Sequence, residues 1–309
     1  MHAARGIGWT SDAVRHGVRR GELLRPQRGV VQRADGVHPG TPRRVVCEIA
    51  NLSRARAAAL QCPRATVSHL SAAVADGIPT YGSLERACLT VPAGTALRRL
   101  ARVHLHRATL RETECVTRDG YRITAPARTV FDIAREFGVD AGVVAADFVL
   151  HNELASAAEL DEAFELCRTW PGRRAARITL LGADSRAESP LESLSRLRIA
   201  SSHLPAPTPQ QEICDSDGRF LGRCDFYWDE FGVFGEVDGA LKYRDGDPGA
   251  IVAAERQRHA LLEGTGLIGV RWGWPDLYTF DEVTRRLTIA FARGARPGSV
   301  SRRWGLLVR

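Results

Sequence analysis

Residues 219–228 (RFLGRCDFYW) and 231–238 (FGVFGEVD) flank Asp229-Glu230 and constrain this chain more than any other stretch. They read as the two arms of a β-hairpin. With a two- or four-residue loop centred on Asp229-Glu230, Asp225 faces Phe234 and Arg223 faces Glu236. Cross-strand partners share a face, as do residues two apart. Asp225, Glu236 and Asp238 therefore gather on one face, and Cys224, Phe226, Trp228, Val233 and Val237 form an apolar set on the other. A three-residue loop without a bulge would flip one arm and separate the acids.

The hairpin sits in a longer α/β pattern. Ser189 caps and Pro190 opens a helix whose Leu191, Leu194, Leu197 and Ile199 fit one face. Pro205, Pro207 and Pro209 punctuate an extended link, 210–214 reads as a strand, and 215–218 as a turn. After the hairpin come a helix over 248–264, a strand LIGVRW and a final helix from about Pro275.

Three carboxylates on one face repel each other and need protons, arginine or a divalent cation. Oxygen ligands of this kind suit Mg²⁺ or Mn²⁺, and a metal so held activates water and stabilises the leaving oxygen in phosphodiester hydrolysis. The chain uses arginine 42 times and lysine once, at Lys242, close to the acids in sequence. Lysine is a compact point charge whose pKa moves on burial, a property arginine lacks.

The pattern D-x(10)-E-x-D-G-x-x-K resembles the PD-(D/E)xK nuclease superfamily, particularly domains akin to very-short-patch-repair endonucleases in actinobacterial proteins. It is carried by Asp225, Phe226, Trp228, Glu236, Asp238, Gly239, Lys242 and Tyr243, then Glu255, Arg258, Leu262, Gly266, Arg271, Trp274, Asp276 and Leu277, within about 186–285. The resemblance implies metal binding by Asp225 and Glu236, with Glu192 on the preceding helix a further acid, and Asp238 and Lys242 completing the catalytic set. In that superfamily the lysine stands two residues after the glutamate, where this chain has Asp238. Two readings follow: Lys242 folds back past Gly239 to serve, or the fold binds without cutting.

Charge adds a second line of inference. Residues 1–64 hold 12 arginines against four acids (Asp12, Glu22, Asp35 and Glu48), and the rest of the chain is nearly balanced. A locally basic module points to a polyanion, most simply nucleic acid. Thr10 or Ser11 caps a helix through about Arg20 with Ala13, Val14 and Val18 as its buried stripe, and Gly21 ends it. Two short strands follow around a Pro-Gln-Arg-Gly turn. A basic helix (Arg15, Arg19, Arg20) running into a hairpin tipped by Arg25 and Arg28 is the plan of a winged helix, with the helix in the major groove and the wing on phosphate.

Gly8, Thr10, Val14, Arg15, Val18, Arg19, Arg20, Gly21, Glu22, Leu23, Arg25, Arg28, Gly29 and Val30 resemble the N-terminal module of AbiEi-type antitoxins, regulators of type IV toxin–antitoxin operons. That family has helices before this segment, so either the helix expected over 43–61 completes the module or the N-terminus is truncated. Thr124, Pro126, Ala127, Arg128, Thr129, Asp132, Ala134 and Arg135 resemble a middle segment of the same proteins. The resemblance implies DNA and a cognate toxin protein as partners.

Elsewhere in the middle region, 68–77 reads as a short helix and Leu89–Val91 and Val103–His106 as strands, and residues 120–150 contain two helices, the first entered at Ala125-Pro126-Ala127. His104 and His106 share a strand face; with no carboxylate or cysteine fixed beside them, they read as surface imidazoles rather than metal ligands. Ser68, His69 and Asp132 lack the context of a catalytic triad.

Seven scattered cysteines without a C-x-x-C pair argue against a disulfide framework and for a reducing cytoplasm. No apolar run approaches the ~18 residues that span a bilayer, and the N-terminus lacks a signal-peptide core. The expectation is a multi-domain α/β protein: a winged-helix-like module (1–64), a mixed α+β middle region (65–185) and a restriction-endonuclease-like α/β domain (186–309). The expected function is DNA binding with metal-dependent endonuclease chemistry. The alternative is a catalytically inactive AbiEi-like antitoxin or transcriptional regulator.

Overall fold

The computed structural model describes residues 10–34, 36–38, 40–95, 100–215, 217–239 and 259–294. The chain is a multi-domain α/β protein that divides into two units, Met1–Ala183 and Asp184–Arg309.

The first unit begins with α1 (Ser11–Arg19), capped by Thr10, whose Oγ1 accepts the Ala13 N–H at 3.1 Å. The helix buries Val14 and Gly17, while Ala13, expected in the stripe, is exposed. Gly17 is where the helix meets the following strand: a Cβ there would lie 2.7 Å from Leu23 Cδ1. Strands β1 (Leu23–Gln27) and β2 (Val30–Arg33) form an antiparallel pair whose turn narrows to Arg28-Gly29, with Gly29 at φ +85°.

Helix α2 (Arg43–Gln61) lays a small-residue face, including Ala55 and Ala58, on a five-stranded sheet. That sheet contains β3 (Thr66–Val67), β4 (Ala87–Val91), β5 (Val103–Arg107), β6 (Cys115–Arg118) and β7 (Tyr121–Thr124), in the order β5-β4-β3-β7-β6. The β4/β5 and β3/β7 pairs are parallel, the other two antiparallel. Helices α3 (His69–Ala75), α4 (Pro126–Phe137), α5 (Val139–His151), α6 (Ala157–Cys167) and α7 (Arg173–Gly182) share a second core around Leu70, Val130, Phe131, Val149 and Leu160.

The second unit opens with α8 (Pro190–Ala200) and continues with β8 (Thr208–Cys214), β9 (Phe220–Trp228) and β10 (Val233–Asp238). Residues 259–264 are helical and lead to β11 (Ile268–Gly273); the rest of the helix expected from 248 lies outside the described residues. The final helix, α9, runs over Phe280–Gly294, and its expected start near Pro275 is a 3₁₀ turn, Trp274–Tyr278. The sheet order is β11-β10-β9-β8, antiparallel from β8 to β10 and parallel between β10 and β11.

The hairpin keeps the expected parity with a different register. Trp228 pairs with Val233 and Phe226 with Gly235, two positions on from the expected pairing. The cause is a loop centred one residue later: Asp229–Phe231 form a 3₁₀ turn that closes on Gly232 in the left-handed region (φ +58°). Because the shift is even, Asp225 and Glu236 still share a face.

The apolar face is fixed by aromatics. The Phe226 and Trp272 rings stack 5.6 Å apart, Trp228 meets Phe291 edge-on at 5.3 Å, and Trp272 Nε1–H donates to Ser195 Oγ at 2.8 Å. Gly235 makes room for this stack, since a Cβ there would lie 2.5 Å from Trp272 Cη2. Gly235→Ala therefore overpacks a closed core, and urea denaturation of the variant should show a loss of about 1–3 kcal/mol.

Candidate functional site

In the Asp184–Arg309 unit the acids named from the sequence are brought together in part. Glu192 sits in the first turn of α8, buried, with Oε1 accepting from Ser189 Oγ at 2.7 Å and Oε2 from the Glu188 N–H at 3.0 Å. Gln210 Nε2 donates to Glu192 Oε2 at 2.7 Å and lies 3.4 Å from Asp225 Oδ1, so two carboxylates from different elements face each other across one amide group. Gln210 has a left-handed backbone (φ +53°), unusual for a side-chain-bearing strand residue. Asp225 Oδ2 accepts the Val237 N–H at 2.7 Å, tying β9 to β10 at this point.

Glu236, only 1% exposed, points the same way but is held by different partners. His259 Nδ1 lies 2.7 Å and Arg271 Nε 3.6 Å from its Oε2. Asp238, at the strand end, pairs with Arg271 Nη2 at 2.7 Å. Among the described residues, no three of these acids bring ligand oxygens within 4.8 Å of one another. Lys242, with Tyr243, Glu255 and Arg258, lies outside the described residues. Gln210 and His259 are the members of this site that no sequence motif indicated. Their only signal was position: Gln210 opens the strand expected over 210–214, and His259 lies on the expected helix 248–264.

The arginines expected to meet DNA are all exposed, on α1, at its C-cap (Arg20) and on the β1–β2 hairpin. Arg15 pairs with Asp12, and Arg20 Nε lies 2.9 Å from Glu22 Oε1. Arg25 lies on β1 and Arg28 in the turn.

The Met1–Ala183 unit contains a site the sequence reading passed over. A cavity of about 780 Å³ opens between the ends of β4 and β5, helix α4 and the Trp170-Pro171-Gly172 turn. Along α4, Arg128, Asp132, Arg135 and Glu136 recur at helical spacing and make one polar stripe. Arg128 is buried: it pairs with Glu114, donates from Nε to Asp132 Oδ2 at 2.9 Å and stacks under the Trp170 ring at 4.6 Å. Arg135 donates to the other Asp132 oxygen at 3.2 Å and also lies against Trp170, at 4.8 Å.

Glu136, one turn beyond Asp132, meets three imidazoles. His104 Nδ1 is 3.0 Å from its Oε1, and His106 Nδ1 and His69 Nε2 are 3.1 Å and 3.5 Å from its Oε2. This corrects the reading of His104 and His106 as surface imidazoles without a carboxylate beside them: His106 is half-buried and Glu136 reaches both. Burial, with Arg128 and Arg135 nearby, holds the buried His69 well below the usual histidine range. Burial, reinforced by His69 and His104, pushes His106 down to about 3. Burial also raises Glu136. Both histidine shifts favour the neutral imidazoles. Ser68 Oγ is 2.9 Å from His69 Nδ1, but Asp132 is held by arginines, so these three residues form no triad.

Arg128 neutralises two buried acids at once. Arg128→Met leaves Glu114 and Asp132 short of their shared counter-charge, and urea unfolding should show a cost of about 3–5 kcal/mol. No family model matches the chain. Two proteins of Mycobacterium tuberculosis, Uncharacterized protein MT2308 of strain CDC 1551 / Oshkosh and Uncharacterized protein Rv2248 of strain ATCC 25618 / H37Rv, are each 31% identical to it over 147 residues. That match covers 48% of this chain and 53% of each relative, so the chain spans about half the length of the curated relatives it matches.

Proposed function

We propose that this chain acts on DNA in the cytoplasm, gripping the duplex through its arginine-rich helix and hairpin and hydrolysing phosphodiester bonds in the Asp184–Arg309 unit. The observation that carries the reading is the pair of carboxylates, Glu192 and Asp225, facing each other across the Gln210 amide beside the buried Glu236. The order of the described elements, a helix, an antiparallel meander, a helical stretch at 259–264 and a strand parallel to β10, supports it.

The donor set fits a hard divalent cation: it consists of carboxylate oxygens, and a hydrogen-bond donor already stands where positive charge is wanted. Glu192 and Asp225 would hold Mg²⁺ or Mn²⁺, with Glu236 as the adjoining acid. Such an ion supplies water activation and charge neutralisation at the scissile phosphate. Ser189, the Glu188 N–H and the Val237 N–H fix the carboxylates in orientation. Glu236 holds His259 through Nδ1, and the other ring nitrogen, Nε2, lies 3.5 Å from Glu263 Oε1.

A second reading, a DNA-binding regulator or antitoxin without catalysis and with a toxin protein as partner, draws on Arg271. That guanidinium pairs with both Glu236 and Asp238, and Asp238 stands where the resembled superfamily has its lysine.

Supercoiled plasmid incubated with the purified full chain separates the two. Hydrolysis predicts nicking or linearisation with Mg²⁺ or Mn²⁺ that Glu236→Ala and Asp225→Asn abolish. Protein that shifts the DNA yet leaves it intact with either ion establishes the regulator reading. In both cases Arg19→Ala and Arg28→Ala should weaken binding and each lower the slope of log K against log salt by about 1.

A further inference from the structure

The four side chains at the mouth of the α4 cavity are distinct from the acids proposed for DNA hydrolysis, and they come from three distant stretches of the chain. His69 begins α3, His104 and His106 alternate along β5, and Glu136 ends the polar stripe of α4. We propose that His69, His106 and Glu136 bind a divalent transition-metal ion, Zn²⁺ by preference, with His104 at the second carboxylate oxygen and one coordination position open to the cavity.

The geometry argues first. Ligand atoms of His69, His106 and Glu136 all lie within 4.8 Å of one another, the one such group among the described residues. The 3.1 Å and 3.5 Å separations between imidazole nitrogens and Glu136 Oε2 bracket the edge of a zinc tetrahedron, about 3.3 Å for bonds of 2.0–2.1 Å. Two imidazoles and a carboxylate form a borderline donor set that suits zinc and its neighbours over Mg²⁺ or Ca²⁺.

The surroundings argue second. Ser68 Oγ, itself accepting from Thr90 Oγ1 at 2.8 Å, lies 2.9 Å from His69 Nδ1. That contact is of the kind that fixes a ligand histidine's tautomer and leaves Nε2 for the metal. His69 is held at φ +53°, a conformation a residue with a side chain adopts only where its surroundings impose it. The His69 and His106 rings stack at 3.7 Å with 18° between their planes, and since each lone pair lies in its ring plane, metal entry tilts the rings apart. The cavity in front, rimmed by Arg107 and Arg135, leaves the ion accessible to an anionic ligand.

The test uses the untagged full chain, stripped with chelator and reloaded. Wild-type protein should retain one zinc per chain through gel filtration, and Co²⁺ should give the visible absorption of a low-symmetry site. His106→Ala should lose both signals, and the near-isosteric Glu136→Gln should lower zinc affinity at least ~10-fold, each with its circular dichroism spectrum compared with wild type. Glu282→Gln, on the exposed face of α9, should bind as wild type does. Folded wild-type protein that holds neither ion overturns the proposal. So does undiminished zinc binding by folded Glu136→Gln, which carries the test alone should His106→Ala fail to fold.

Discussion

One buried guanidinium organises the Met1–Ala183 unit. Arg128 has 3% of its side chain exposed and carries two acids, Glu114 from the turn before β6 and Asp132 from its own helix, while Trp170 covers its face. A buried charge is tolerable only when paired and hydrogen-bonded on all sides, so this contact fixes the rotation of α4 as well as its position. The apolar positions Val130, Phe131, Ile133 and Ala134 then turn into the helical core, and the polar stripe turns toward the ends of β4 and β5. Glu136 arrives among the histidines because Asp132, one turn earlier, is already anchored.

The second unit reaches a comparable result by packing. Phe226, Trp228, Trp272 and Phe291 close one face of the sheet so tightly that only glycine fits at Gly235. A one-residue slip between β9 and β10 would flip one strand against the other, driving either Asp225 or Glu236 into that aromatic layer and separating the two acids. The aromatic face therefore dictates where the acids lie. Their charge is then met locally: Gln210 between Glu192 and Asp225, His259 on Glu236, and Arg271 on Glu236 and Asp238.

How much of this was legible in the sequence follows from the range of each interaction. Helix α8 was readable because its signals, the Ser189 cap, Pro190 and the leucine spacing, are local. The face shared by Asp225 and Glu236 was readable because parity survives an even error in loop position, although the register itself did not. The three strands Thr66–Val67, Cys115–Arg118 and Tyr121–Thr124 were not read, being two to four residues long and identified by pairing rather than by pattern. The histidine site was out of reach for a related reason. The spacing of Arg128, Asp132, Arg135 and Glu136 on one helix face was visible, but which strand that face would meet depends on the parallel pairing of β4 with β5. Nothing near His104 in the sequence announces Glu136.

The two candidate sites differ in donor chemistry, which is what would hold two ion chemistries apart in one chain. Around Glu192 and Asp225 the donors are carboxylate oxygens steadied by amide groups, an environment for hard cations that keep their water. Around Glu136 one carboxylate faces three imidazoles, whose nitrogens are softer donors than carboxylate oxygens. Donor softness sorts divalent ions more sharply than overall charge does, because every candidate ion carries the same charge while nitrogen affinity climbs steeply from Mg²⁺ to Zn²⁺. Moving a single histidine would erode that distinction. Without His106, Glu136 keeps His69 and His104 beside it but the proposed donor set loses one of its two nitrogens, which would weaken a preference for zinc.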